Sequence, residues 1–119
     1  MFGDRKKLSK LAHRHYIKPF PSPASRQGAW VLAKAIVGES DWLAGLWEKR
    51  ARLADKPVLI LAGLKDPTFG PEKLARWQEA FPSHLTITYP QVGHFVPEEL
   101  GPEAVAPVER FLKTPVGVT

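Results

Sequence analysis

The chain has 119 residues, 44% of them hydrophobic and 24% charged, which is the composition of one small globular domain. The absence of cysteine excludes a disulfide framework and a thiolate metal site, and it fits a reducing compartment. A formal net charge of +5 raises nucleic-acid binding, but much of the excess is local to two stretches that read as helices, Met1 to Lys18 and Trp47 to Lys56, where it serves as a solvated face. No nucleic-acid motif accompanies it, and no nucleic-acid partner is expected.

In chain order, Leu8, Leu11, Ala12, His15 and Tyr16 fall on one stripe of an amphipathic helix. Met1 to Phe20 never offers the uninterrupted apolar core of a secretory signal, so a cytoplasmic protein is expected. Pro19, Pro21 and Pro23 end this helix. Ser22 as N-cap with Pro23 in the first turn opens a second helix through Trp30 and Lys34 to Gly38. Ser40 or Asp41 can cap a third, with Leu43, Leu46, Trp47, Arg50 and Leu53 along one side.

The character changes at Pro57. Val58 to Ala62 is a short continuous apolar run suited to a strand buried on both faces, and it is far too short for the roughly 20 residues of a membrane span. Gly63 to Gly70 reads as a loop. Pro71 opens a helix to Phe81 with Leu74, Trp77, Gln78 and Phe81 inward, and Leu85 to Tyr89 is a second strand by alternation and β-branched content. Pro102 starts a last helix carrying Val105, Val108, Phe111 and Leu112, with Pro107 expected to kink it. The tail from Thr114 to Thr119 is expected to be loose. Strand, helix, strand, helix implies parallel strands joined by a right-handed crossover.

In parallel α/β sheets ligands collect at the carboxyl ends of the strands, where loops lead into helix N-termini. Two polar groups stand there: Asp66 in Gly63-Leu-Lys-Asp66-Pro67 after the first strand, and His94 in Gly93-His94-Phe95 after the second. A carboxylate beside an imidazole fixes its tautomer and stabilises the imidazolium formed when the ring takes a proton. The other histidines carry less. His13 and His15 are two apart on a helix and point to different sides, so they cannot chelate one ion, and His84 reads as a solvated turn residue. No metal or cofactor is expected.

The run Pro57-Val-Leu-Ile-Leu-Ala-Gly-Leu-Lys-Asp66, the spacer Pro67-Thr-Phe-Gly-Pro71, the helix to Phe81-Pro82, and Gly93-His94-Phe95-Val96-Pro97-Glu98-Glu99 resemble the last third of α/β-hydrolases, most of all haloalkane dehalogenases. The stretch from Tyr16-Ile-Lys-Pro19-Phe20-Pro21 through Gly28-Ala-Trp30 resembles the end of the dehalogenase cap, so the likeness covers roughly residues 8 to 113. It implies that Asp66 is the triad acid and His94 the general base. In dehalogenases and epoxide hydrolases that base activates the water that cleaves an alkyl-enzyme ester; in serine esterases it first deprotonates the nucleophile. The same pair serves both. Phe95 and Trp30 are the candidate substrate-lining residues, Trp30 being open also to an ordinary core role.

The nucleophile elbow of the family, a small-x-nucleophile-x-small turn between strand and helix, has no counterpart here. Gly38-Glu39-Ser40-Asp41-Trp42 imitates it, but Trp42 occupies a position that must be small, and Ser40 lies too close before Asp66 for the strands and cap that separate the two in the family. The expectation is therefore a partial α/β-hydrolase fold: a helical cap remnant with its connecting helix over residues 1–54, then a parallel strand-helix-strand-helix unit over 55–119. Such a chain is expected to be inactive alone. A two-stranded sheet leaves unpaired edges, so self-association or pairing with an N-terminal fragment is expected as well, with a small-molecule substrate in the parent enzyme.

Overall fold

The computed structural model describes Met1 to Lys113; the tail expected to be loose lies outside the described residues. These form two compact units, Ser9–Arg52 and a second made of Met1–Leu8 together with the residues from Leu53 onward.

The Ser9–Arg52 unit is helical. In α1, Lys10–Ile17, the Ser9 hydroxyl caps the first turn by accepting from the Ala12 N–H at 3.0 Å. Leu8 falls just outside it. Ser22 and Ser25 hold each other, the Ser22 hydroxyl accepting from the Ser25 N–H at 3.2 Å, and a 3₁₀ turn at Ala24–Arg26 then leads into α2, Gln27–Gly38. The third helix, α3, spans Ser40–Glu48 and departs from expectation at its start: Glu39 precedes it without a side-chain cap, and the Ser40 hydroxyl donates back to the Val37 carbonyl at 2.7 Å. With α2 ending immediately before it, that carbonyl is the nearer partner. Lys49–Leu53 tightens into a 3₁₀ turn, so the predicted stripe to Leu53 runs past the α-helix.

In the other unit β1, Val58–Gly63, pairs in parallel with β2, His84–Tyr89, in register from Val58 opposite His84 to Gly63 opposite Tyr89. The strand is therefore one residue longer at Gly63 than its apolar run suggested. His84 is a strand residue and not a solvated turn: half-buried, its Nδ1 pairs with the Phe81 carbonyl at 2.8 Å. Val58 to Leu61 are only half-buried, because one neighbouring strand covers less than the two-sided burial their composition suits. Between the strands, α4 spans Pro71–Ala80 with Pro71 in the first turn, where its missing N–H costs nothing. Leu74 and Gln78 are half-buried, Gln78 donating to the Thr86 hydroxyl at 3.1 Å, and Phe81 just past the helix is 5% exposed. Trp77, expected to face inward, is exposed and stacks on Phe81 at 5.6 Å.

The last helix starts later than Pro102, and a short helix precedes it. α5, Val96–Leu100, ends at Gly101, whose φ of 56° suits a glycine; a 3₁₀ turn over Gly101–Ala104 follows, and α6 begins only at Val105. Pro107 is thus in the first turn of α6, with no helical bond to remove, and the expected reason for a kink is gone because α6 starts at Val105 and not at Pro102. The core is small, formed by Ala62, Phe81, Val92, Val96 and Ala104. No helix among the described residues is long and apolar enough to cross a membrane.

Candidate functional site

Because β1 and β2 run parallel and end together, both exit loops leave the same edge of the sheet. They are stitched to each other: Leu64 N–H donates to the Tyr89 carbonyl at 3.0 Å and Lys65 N–H to the Val92 carbonyl at 2.9 Å. The approach is close enough that a Cβ on Gly63 would strike the carbonyls of Val92 and Gly93, so only glycine fits.

On this edge the two predicted residues meet. His94 Nδ1 lies 2.8 Å from Asp66 Oδ2, with the carboxylate 7% and the imidazole 41% exposed. Nδ1–H donates to Asp66, which leaves Nε2 as the ring's acceptor. Thr68 completes the cluster. Its N–H and its hydroxyl each donate to Asp66 Oδ1 at 2.7 Å, and the hydroxyl oxygen takes a longer share of the His94 Nδ1–H at 3.1 Å. Burial alone would raise the Asp66 carboxyl, but the Thr68 N–H, the Thr68 hydroxyl and His94 together outweigh it and hold Asp66 down to about 2, below its ordinary 3.8. The acid is therefore ionised at neutral pH with both oxygens engaged. Such a dyad can accept a proton at Nε2 and stabilise the resulting imidazolium.

Sequence reasoning passed over Thr68 as part of a spacer. The available signal was its place two residues after an Asp in a turn, where a side-chain carboxylate commonly takes a backbone N–H. Glu99 was also missed. Only 4% exposed, it accepts from the N–H groups of Gly3 (3.0 and 2.9 Å to its two oxygens), Asp4 (3.1 Å) and Gly93 (2.8 Å). Burial pushes its carboxyl up, and the three N–H groups reverse this and hold it below the usual value.

Of the two candidate substrate-lining residues, Phe95 stands edge-on to the His94 ring at 5.2 Å, its other flank against Phe2 at 5.0 Å. Trp30 belongs to α2 in the Ser9–Arg52 unit, 62% exposed, with the Lys34 ammonium 5.2 Å from its ring centre. A hollow of about 460 Å³ beside the acid loop is lined by Pro67, Thr68, Gly70, Pro71, Glu72 and Lys73. Among the described residues no group of three or more His, Cys, Asp or Glu side chains could hold a metal.

A family model described as alpha/beta hydrolase fold matches residues 4–99, spanning the helical unit, both strands and the dyad. The chain belongs to the α/β-hydrolase family. Within the family it is similar to haloalkane dehalogenase 2 of Mycobacterium bovis and to haloalkane dehalogenase 2 of Mycobacterium tuberculosis, being 33% identical to each over 113 residues. These matches cover 92% of this chain and 39% of each relative, so the α/β-hydrolase described here spans well under half the length of those proteins.

Proposed function

We propose that Asp66 and His94 are the acid and general base of a haloalkane dehalogenase-like hydrolytic site whose nucleophile comes from outside residues 1–119. The observation that supports this best is the 2.8 Å contact between Nδ1 and a carboxylate that is buried, ionised and held on both oxygens. In the chemistry that the likeness to haloalkane dehalogenases implies, a carboxylate nucleophile displaces halide from a haloalkane and becomes an alkyl ester. His94 Nε2 takes a proton from water as the water oxygen adds to the ester carbonyl, and Asp66 stabilises the imidazolium. The adduct collapses by breaking its bond to the alkyl oxygen, which receives the proton from Nε2 and departs as the alcohol. Phe95 forms one wall beside the ring, and Trp30 is the cap residue of the same reading. The half-buried β1 fits this view, since further strands of the hydrolase would cover Val58 to Leu61.

Halide release from 1-haloalkanes tests it, with epoxides and aryl esters run alongside for the epoxide-hydrolase and esterase alternatives. The chain alone is expected to be inactive. Mixed with the N-terminal portion of a related dehalogenase, it is expected to turn over, with a loss of roughly 10⁴-fold in His94→Ala or Asp66→Asn. Complemented activity indifferent to His94→Ala refutes the base. Activity of the chain alone that survives Ser40→Ala and is lost in His94→Ala places a nucleophile within 1–119 and overturns that part of the reading.

A non-catalytic interaction module is the alternative, favoured by the apolar residues that the helices expose, among them Val31, Leu32, Ile36 and Val37 on α2. Self-association in sedimentation equilibrium that is indifferent to Asp66→Asn and His94→Ala, with no complementation, would favour it.

A further inference from the structure

Glu99 takes a charge into the interior, and the dyad chemistry does not use it. A buried carboxylate held by backbone is an expensive way to fill space, since an apolar side chain of similar volume is commonly as stabilising or more so. Its partners suggest what it does instead. Gly93, His94 and Phe95 are consecutive, and each is held from outside the loop, the last two by the opening segment of the chain. Gly93 N–H donates to Glu99 Oε1, His94 N–H donates to the Met1 carbonyl at 2.6 Å, and the Phe95 ring leans on Phe2. Glu99 joins the two sides, because the same carboxylate that takes the Gly93 N–H also takes those of Gly3 and Asp4. Glycine is needed at both contacts: a Cβ on Gly93 would strike the Met1 carbonyl and one on Gly3 the Gln91 carbonyl. The His94 ring itself is 41% exposed, so little packing surrounds it, and its aim depends on the backbone that carries it.

We propose that Glu99 is a positioning residue for His94, its carboxylate clamping Gly93 to the Gly3–Asp4 backbone so that the imidazole keeps Nδ1 on Asp66. The inference rests on the acid and base reading above. Glu99 touches neither reacting atom and acts only through the loop it fixes.

The readout is the tautomer of His94, followed in the full chain by the nitrogen resonances of its ring after labelling histidine with ¹⁵N. A ring fixed with Nδ1–H on a carboxylate gives two well-separated nitrogen signals; a ring free to exchange tautomers gives averaged ones. Wild type is expected to show the split, and Asp66→Asn to lose it. If wild type lacks the split, or Asp66→Asn keeps it, the dyad reading fails, whatever Glu99 does. With the dyad established, Glu99→Gln sets an amide NH₂ against backbone N–H groups and is expected to lose the split while the β1 and β2 amide signals stay in place. Gly3→Ala, which lifts the opening segment but keeps the carboxylate, is expected to do the same. A split retained in either folded variant overturns the proposal. Unfolding of both overturns it too, since Glu99 would then be a determinant of the fold and not of the ring.

Discussion

Replacing Asp66 by Asn keeps the shape of the side chain and an acceptor oxygen for Thr68 while removing the charge, so it isolates what ionisation contributes. Burial of that carboxyl works to raise its pKa, and the bonds from Thr68 and His94 reverse this and bring it to about 2 from 3.8. A folded-state pKa below the unfolded one adds stability that is present in full above the unfolded value and lost as pH falls through the folded value. The gap corresponds to about 2 kcal/mol, most of it disappearing between roughly pH 5 and pH 2. Urea unfolding of wild type and Asp66→Asn, followed through resolved β1 and β2 amide signals, reads this directly. The stability difference between the two proteins should shrink by about 2 kcal/mol across that window, with wild type the more acid-sensitive. A difference that stays constant with pH would refute the reasoning, because it would mean that the Asp66 charge is no better off in the folded protein than in the unfolded one.

Thr68→Val removes the hydroxyl that donates to Asp66, so the Asp66 titration midpoint, read from its carboxyl carbon signal, should move up toward 3.8 while the strand signals stay unchanged. Phe81→Ala, at one of the few buried positions, should cost about 3–5 kcal/mol in urea unfolding, and more than Trp77→Ala, whose ring is exposed. Pro107→Ala should alter stability by no more than about 0.5 kcal/mol, because Pro107 lies in the first turn of α6; a larger gain would show that the proline strains the helix after all.

The strand-helix-strand order, the parallel pairing and the meeting of Asp66 with His94 follow from short-range signals: an apolar run bounded by prolines, alternation at Leu85 to Tyr89, and polar residues just past each strand. Those signals are local and survive without knowledge of the rest of the chain. The errors share a cause. A helix from Pro102 would hold Pro107 in its second turn, but residues Gly101–Ala104 wind as a 3₁₀ turn and the α-helix starts only at Val105, which leaves the proline in a harmless first turn. His84 looked like a turn residue because its neighbour Ser83 is polar, yet the register pairs it with Val58. Glu99 was one of two adjacent glutamates, and only tertiary contact with residues more than 90 positions away selects it as the buried one. Nothing in Met1 to Asp4 announces that its backbone will be needed there.

The two limbs of the dyad differ in how they are built, and this bears on engineering. Asp66 is held by Thr68, two residues away, and by a turn bond from its own N–H to the Gly63 carbonyl, so the acid loop carries most of its scaffold within a few residues. His94 depends on Met1, Phe2, Gly3 and Glu99. A designer moving this pair to another parallel sheet could transplant Gly63 to Thr68 as a short cassette if the neighbouring strand exit offers carbonyls to Leu64 and Lys65, whereas the histidine loop would arrive without its supports unless the opening segment travelled with it.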